Sequence, residues 1–276
     1  MADTRPVTAA KRRAFHDLHQ AGCFVIPNPW DVGSARYLQS LGFKALATTS
    51  SGFAWSKGRP DGGISRDTAL AHLHEMVAAT ELPVNADFES GFAADAAGVA
   101  ESVRLACETG VAGLSIEDST GDAASPLYDL DAAVERVRAA RDAIDKAGGD
   151  ALLVGRAECF LVGRPDLEET IARLKAYAQA GADCLYAPGI HTPEQIRAVV
   201  AAAAPKPVNL LVGSASQLTV PEIAALGVRR ISVGGALARA AWGGFMRAAR
   251  MLAEEGRFDG FANAASGKEL NSLFGK

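Results

Sequence analysis

Short aliphatic runs along the chain alternate with longer stretches whose apolar residues recur every three or four positions. The runs are Phe24–Ile26, Ala45–Thr48, Val84–Ala86, Gly113–Ile116, Leu152–Gly155, Cys184–Ala187, Val208–Leu211 and Arg230–Val233, each predicted as a strand. Between them Leu130, Val134, Val137 and Ile144, and then Leu167, Ile171, Leu174 and Ala178, mark single helix faces. Pro165 and Pro193 stand where helices start. A second pattern joins helix to strand: Leu41-Gly42-Phe43, Thr109-Gly110-Val111, Ala180-Gly181-Ala182 and Leu226-Gly227-Val228. Glycine just past a helix ends it by turning left-handed, and a buried parallel strand then reads as an aliphatic run. Repetition of this unit predicts an α/β fold. Eight such units point to a (β/α)8 TIM-type barrel, one domain over residues 1–276. A leading helix at about 8–20 and a helical extension over about 236–276 complete the picture. The alternative is a doubly wound open sheet, against which stands the lack of Gly-x-Gly-x-x-Gly after the first strand.

Composition changes little. Hydrophobic residues make up 49% and charged residues 22%, which suits a packed domain. A net charge of −4 leaves no footprint for nucleic acid or an anionic membrane. The longest aliphatic run, Ala198–Ala204, is too short to span a bilayer, and no apolar stretch follows Lys11-Arg12-Arg13 as a signal peptide requires. Cys23, Cys107, Cys159 and Cys184 form no CxxC pair, so the expectation is a reduced, cytoplasmic protein without disulfides.

In a barrel the chemistry belongs at the C-terminal strand ends. Those ends carry Asn28-Pro29-Trp30-Asp31, Thr49-Ser50-Ser51-Gly52, Asp87-Phe88-Glu89, Glu117-Asp118, Arg156-Ala157-Glu158 and Pro188-Gly189-Ile190-His191. Alternation along a strand puts Asn85, Asp87 and Glu89 on one face, as it does Ser115 with Glu117 and Arg156 with Glu158. Ala86, Leu114, Ile116, Leu153 and Ala157 take the other, under the helices. Asp87, Glu89, Glu117 and Glu158 therefore converge on Arg156, with Asp61 and Asp118 expected nearby. Excess buried carboxylate recruits a cation or a proton, and an all-oxygen set selects Mg²⁺ or Mn²⁺. The plainer reading is a structural salt bridge, which leaves the excess acid unexplained. His191 lies at the functional end as a candidate acid. His72 and His74 point to different helix faces, and His16 and His19 sit on the leading helix, so none of these four is a ligand candidate. Gly213-Ser214 and Gly234-Gly235 occupy the corner where such barrels often hold phosphate.

From Pro27 to about Gly235 the chain resembles the isocitrate lyase/phosphoenolpyruvate mutase superfamily. The resemblance rests on Trp30-Asp31-x-x-Ser34-Ala35-Arg36, Thr49-Ser50-Ser51-Gly52, Gly58-Arg59-Pro60-Asp61-Gly62, Pro83–Gly91, Ile116-Glu117-Asp118 and Gly155-Arg156-Ala157-Glu158, in that order. It implies that Asp87 is the principal Mg²⁺ carboxylate, with Glu89 and Glu117 acting through metal-bound waters. It implies that Ser50, Ser51 and Gly52 hold a substrate carboxylate and that Arg156 pairs with an enolate oxygen, where its planar fork suits bidentate work. Glu117, Asp61 and His191 join Arg156 as catalytic candidates, and Trp30, Glu158 and Asn209 join the serines as substrate contacts. The implied activity is that of a Mg²⁺-dependent lyase or decarboxylase acting on a small 2-oxo or 2-hydroxy carboxylic acid. The alternatives are phosphonate chemistry and a silent carboxylate-binding barrel. One departure stands out: the superfamily's lyases carry Lys-Lys-Cys-Gly-His on the loop after the Glu-Asp strand, and here Ser119–Tyr128 has no Cys, Lys or His. Tyr128, Ser119 and His191 are the stand-ins. Trp242, Phe245, Ala249 and Leu252, followed by Phe258, Phe261, Leu270, Leu273 and Phe274, predict self-association, and the resemblance implies a homo-oligomer, a dimer or tetramer in which the last helix is exchanged between subunits.

Overall fold

The computed structural model describes residues 5–275; Lys276, the end of the expected helical extension, lies outside them. After helix α1 (Arg5–Gln20), strands and helices alternate. β1 (Phe24–Ile26) leads to α2 (Val32–Ser40), and β2 (Leu46–Ala47) to α3 (Ser50–Ser56) and α4 (Arg66–Ala79). β3 (Val84–Asp87) leads to α5 (Ala96–Glu108), β4 (Gly113–Glu117) to α6 (Leu130–Lys146), and β5 (Leu152–Arg156) to α7 (Leu167–Gln179). β6 (Cys184–Tyr186) precedes α8 (Pro193–Ala203), β7 (Val208–Leu211) precedes α9 (Val220–Ala225), and β8 (Arg230–Ser232) precedes α10 (Ala236–Arg250).

All seven strand pairings are parallel, and β1 lies beside β8. The remaining seam is bridged where Ala47 N–H donates to Pro27 O at 3.1 Å. This is a (β/α)8 barrel, nearly closed; an open doubly wound sheet would leave β1 and β8 unpaired. The helix-ending glycines adopt the left-handed backbone, as Gly110 (φ 88°) and Gly181 (φ 105°) do. α7 starts after Asp166, whose carboxylate accepts from Glu169 N–H, and α8 after the Thr192/Gln195 capping box with Pro193 in its first turn.

The strand alternation sorts the core. Ala86, Leu114, Ile116, Leu153 and Ala157 are buried in one layer with Val103, Val137 and Leu174 of the surrounding helices. A one-residue slip of β3 would drive Asp87 into that layer, so register is fixed by the cost of burying charge. Inside the barrel, Ile26, Leu152, Val154 and Cys184 pack around Phe15, by which α1 stops the lower end. Gly113 makes room for it: a Cβ there would meet the Phe15 ring at 2.9 Å.

Beyond α10 come a π-helical turn (Met251–Glu255), a 3-10 turn (Asp259–Phe261) and α11 (Gly267–Phe274), which returns to rest on α2. Phe245 and Phe258 remain 63% and 67% exposed, too much aromatic surface for a finished exterior. Among the described residues, no helix is long and apolar enough to cross a membrane.

Candidate active site

A cavity of about 180 Å³ runs down the barrel axis from the C-terminal strand ends. Ser50, Ser51, Asp61, Asp87 and Arg156 line it, together with Asn28, Tyr186 and Arg230. Thr49 ends the extended chain after β2 and caps α3, accepting from Gly52 N–H at 3.3 Å. That turn aims Ser50 at β3, where its N–H and hydroxyl donate to Asp87 Oδ2 at 2.9 and 2.8 Å.

Arg156 is the hub. Its Nη1 lies 3.0 Å from Asp87 and 3.1 Å from Glu117, its Nε and Nη2 engage Glu158, and its guanidinium sits 5.2 Å from the Tyr186 ring centre. Burial pushes the Glu117 carboxyl well up, and Glu158, Asp87 and Glu89 add to the shift while Arg156 opposes it. Burial also raises Asp61, with Asp87 second, and carries Glu89 to about 7, with Asp87 and Asp61 behind it. Among the described residues, no three His, Cys, Asp or Glu side chains converge closely enough to hold an ion as they stand. The reason is Arg156, which draws Asp87, Glu117 and Glu158 onto its own nitrogens. Asp61 and Glu89 still add to the acid facing that one guanidinium, and an all-oxygen excess of this kind fits a hard divalent cation.

Other candidates are placed differently. Glu89 follows the end of β3 with a left-handed backbone (φ 47°) and lines a small side pocket with Phe53, His72 and Phe92. Glu158 (4% exposed) backs Arg156 without lining the cavity. Gly52 is buried, and a Cβ there would meet Thr49 Cγ2 at 2.7 Å, so it serves packing at the turn. Trp30 faces a shallow groove with Trp242 and Phe245, away from the axis. Asn209 lies beneath the cavity, fully buried, accepting from Arg230. His191 is exposed outside the lining, its Nδ1 at 3.2 Å from Gly189 O. Asp118 turns outward, one residue out of phase with Glu117. It accepts from Arg173 (3.1 Å), the Tyr177 hydroxyl (2.5 Å) and Glu158 N–H (2.8 Å). His19 and His72 are packed inside, and His72 stacks on Phe53 at 3.7 Å.

Two features were given no role in the sequence reading. Asn28 takes the N–H groups of Val233 and Gly234 on its Oδ1, both at 2.9 Å, and donates to Thr48 O, tying the β8 end to β1 and β2. Arg230 reaches the cavity from its floor. The alternation rule could have found it, since Arg230 and Ser232 share the inward face of β8.

The model of the family described as phosphoenolpyruvate phosphomutase matches residues 15–253. The chain belongs to the phosphoenolpyruvate phosphomutase family. A crystal structure of a proposed lyase/mutase from Burkholderia cenocepacia superposes with a TM-score of 0.95 at 50% identity, covering 98% of each chain. An uncharacterized protein of Mycobacterium tuberculosis, Rv1998c, is 34% identical over 80% of this chain and 81% of its own. An oxaloacetate decarboxylase of Paraburkholderia xenovorans is 30% identical over 70% of this chain and 65% of its own.

Within this phosphomutase family scaffold, the loop after β4 is folded on itself. Ser119 and Leu127 form an antiparallel bridge, Thr120 N–H donates to Pro126 O, and Tyr128 N–H donates to Asp118 O. Tyr128 stacks beneath Arg136 at 4.2 Å, and neither it nor Ser119 lines the cavity. Cys159 is buried and likewise absent from the lining, its thiol raised by burial. At the glycine corner, Gly234 and Gly235 border the cavity, and Arg239 donates to Gly213 O.

Proposed function

We propose that the protein is a Mg²⁺-dependent enzyme that decarboxylates a small oxaloacetate-like 2-oxo acid through an enolate. The observation that carries this reading is the cavity lining, which holds no Cys, His or Lys, while the loop after β4 is occupied with its own hydrogen bonds. Retro-aldol cleavage leaves a carbanion on the departing fragment, and that carbon needs a proton. A departing CO₂ needs none, and the enolate it leaves behind takes its carbon-bound proton from water entering at the cavity mouth.

Asp87, with Glu89 and Glu117 near it, would hold Mg²⁺, which when bound supplies Lewis-acid stabilisation of the developing negative charge. The hydroxyls of Ser50 and Ser51 border the place of the acid's C1 carboxylate. Arg156 presents its planar fork to the enolate oxygen, and Tyr186 walls that side. Asp61, raised by burial and by Asp87, is suited to keep a proton at the mouth. Phosphonate chemistry is the second reading, since the family name attaches to it.

With Mg²⁺ present, release of the 2-oxo product from oxaloacetate is expected to exceed cleavage of isocitrate or 2-methylisocitrate by at least about 100-fold, the scale of lost general-acid help. The ratio should persist when Asp122–Ala124 are deleted. Efficient isocitrate or 2-methylisocitrate cleavage would overturn the reading, and turnover of phosphonopyruvate alone would move it to the second.

We also propose that the exposed aromatic face of α10 and the following segment pairs with another copy of the chain. Light scattering at micromolar concentration should give a mass above that of one chain; a monomer would refute it.

A further inference from the structure

Arg230 opens β8 at the barrel floor and is 2% exposed. Its Nε donates to Asn209 Oδ1 at 2.8 Å and its Nη1 to Asn85 Oδ1 at 3.4 Å. Both acceptors are neutral amides, each with its own fixed role: Asn209 donates onward to Ser232 Oγ (2.9 Å) and Asn85 to Ala86 O (3.1 Å). Among the described residues no carboxylate pairs with Arg230, and its Nη2 has no acceptor. Two of the other arginines buried to a similar degree face carboxylates, and the third, Arg136, faces carbonyls with its Nε unpartnered. Arg12 lies 2.6 Å from Asp150 and Arg173 lies 3.1 Å from Asp118, while Arg136 donates to three carbonyls. Burial disfavours its charge, with Cys184 and Tyr186 beside it acting the other way. A buried guanidinium without a counter-ion costs several kcal/mol.

The same cavity that touches Asp87, Ser50 and Arg156 also touches Arg230. The acceptor Asn85 sits two residues below Asp87 on β3, a drop of about 7 Å at the parallel-strand rise. The well therefore carries acid near its mouth and one uncompensated cation at its base, spaced like the ends of a short dicarboxylic acid.

We propose that Arg230, held by Asn209 and Asn85, binds a second carboxylate of the substrate, one that stays in the product. This rests on the function proposed above and narrows it. A cation on the departing carboxylate would stabilise charge that vanishes as CO₂ forms, so the group on Arg230 cannot be the one that leaves. The preferred substrate is then an oxaloacetate-like acid extended by one further, retained carboxylate, so that its product is a 2-oxo diacid, whereas oxaloacetate itself leaves a monoacid and turns over without using Arg230.

The test compares two product-like ligands of equal length, 2-oxoglutarate and 2-oxovalerate, by calorimetry with Mg²⁺ on the parent protein, Arg230→Met and Arg230→Lys. The parent should prefer the diacid by about 10- to 100-fold, the range for a charged hydrogen-bonded contact. Arg230→Met should erase the preference, read as the ratio of the two affinities within that variant, and Arg230→Lys should keep part of it. If Arg230→Met fails to fold, the lysine variant and the parent's own preference still decide. Equal binding of the two acids by the parent, or a preference that survives in Arg230→Met, overturns the subsite. Failure of both acids to bind the parent would remove the proposed function along with it.

Discussion

Arg156→Lys should lower turnover by roughly 10²- to 10³-fold, the range seen when one preorganised donor to a developing oxyanion is lost. The guanidinium serves Asp87 and Glu117 from one nitrogen and Glu158 from two others, and it still borders the cavity. An ammonium is a single point that cannot satisfy three carboxylates and an enolate oxygen in one plane. Arg156→Gln is the harsher change. It leaves a buried cluster of like charges without a counter-ion, at a cost of about 3–5 kcal/mol in stability. Steady-state kinetics and urea unfolding on the two variants separate the effects: the lysine protein should stay folded and slow. Turnover within tenfold of the parent would show that Arg156 is only a structural clasp.

Asp87→Asn is expected to weaken Mg²⁺ binding by at least about 100-fold, the upper end of what loss of a mere supporting contact costs, and to abolish turnover. Asparagine keeps the shape of the side chain and can still accept from Ser50, so the barrel should melt at close to the parent temperature. What it loses is the charge and the ion pair with Arg156. Titration calorimetry with Mg²⁺ alone reads the metal step apart from catalysis, and unchanged affinity would remove Asp87 as the ligand.

The barrel was legible because its signals are local and repeated. A glycine after each of several helices and a two-residue strand period are written in the chain itself. The same period put Asp87, Glu117 and Arg156 on the inward face. It failed two residues past the end of β3, where pleating stops: Glu89 turns left-handed and enters a side pocket. Trp30 and Gly52 belong to turns whose direction depends on α10, a helix nearly two hundred residues away, and no local pattern encodes that packing. Arg230 was hidden differently. Charge at the start of a strand reads as a solvated end, although its parity with Ser232 already assigns it to the inward face of β8.

Phe15, fully buried among Ile26, Leu152 and Val154, closes the lower end of the barrel, which leaves the C-terminal strand ends as the way into the cavity. Traffic through it must be sequential. Whatever part of a ligand rests deepest enters first and leaves last, and nothing can be displaced from below. An inhibitor wide enough to stall at Asp61 would therefore trap a product already inside as effectively as it excludes the next substrate.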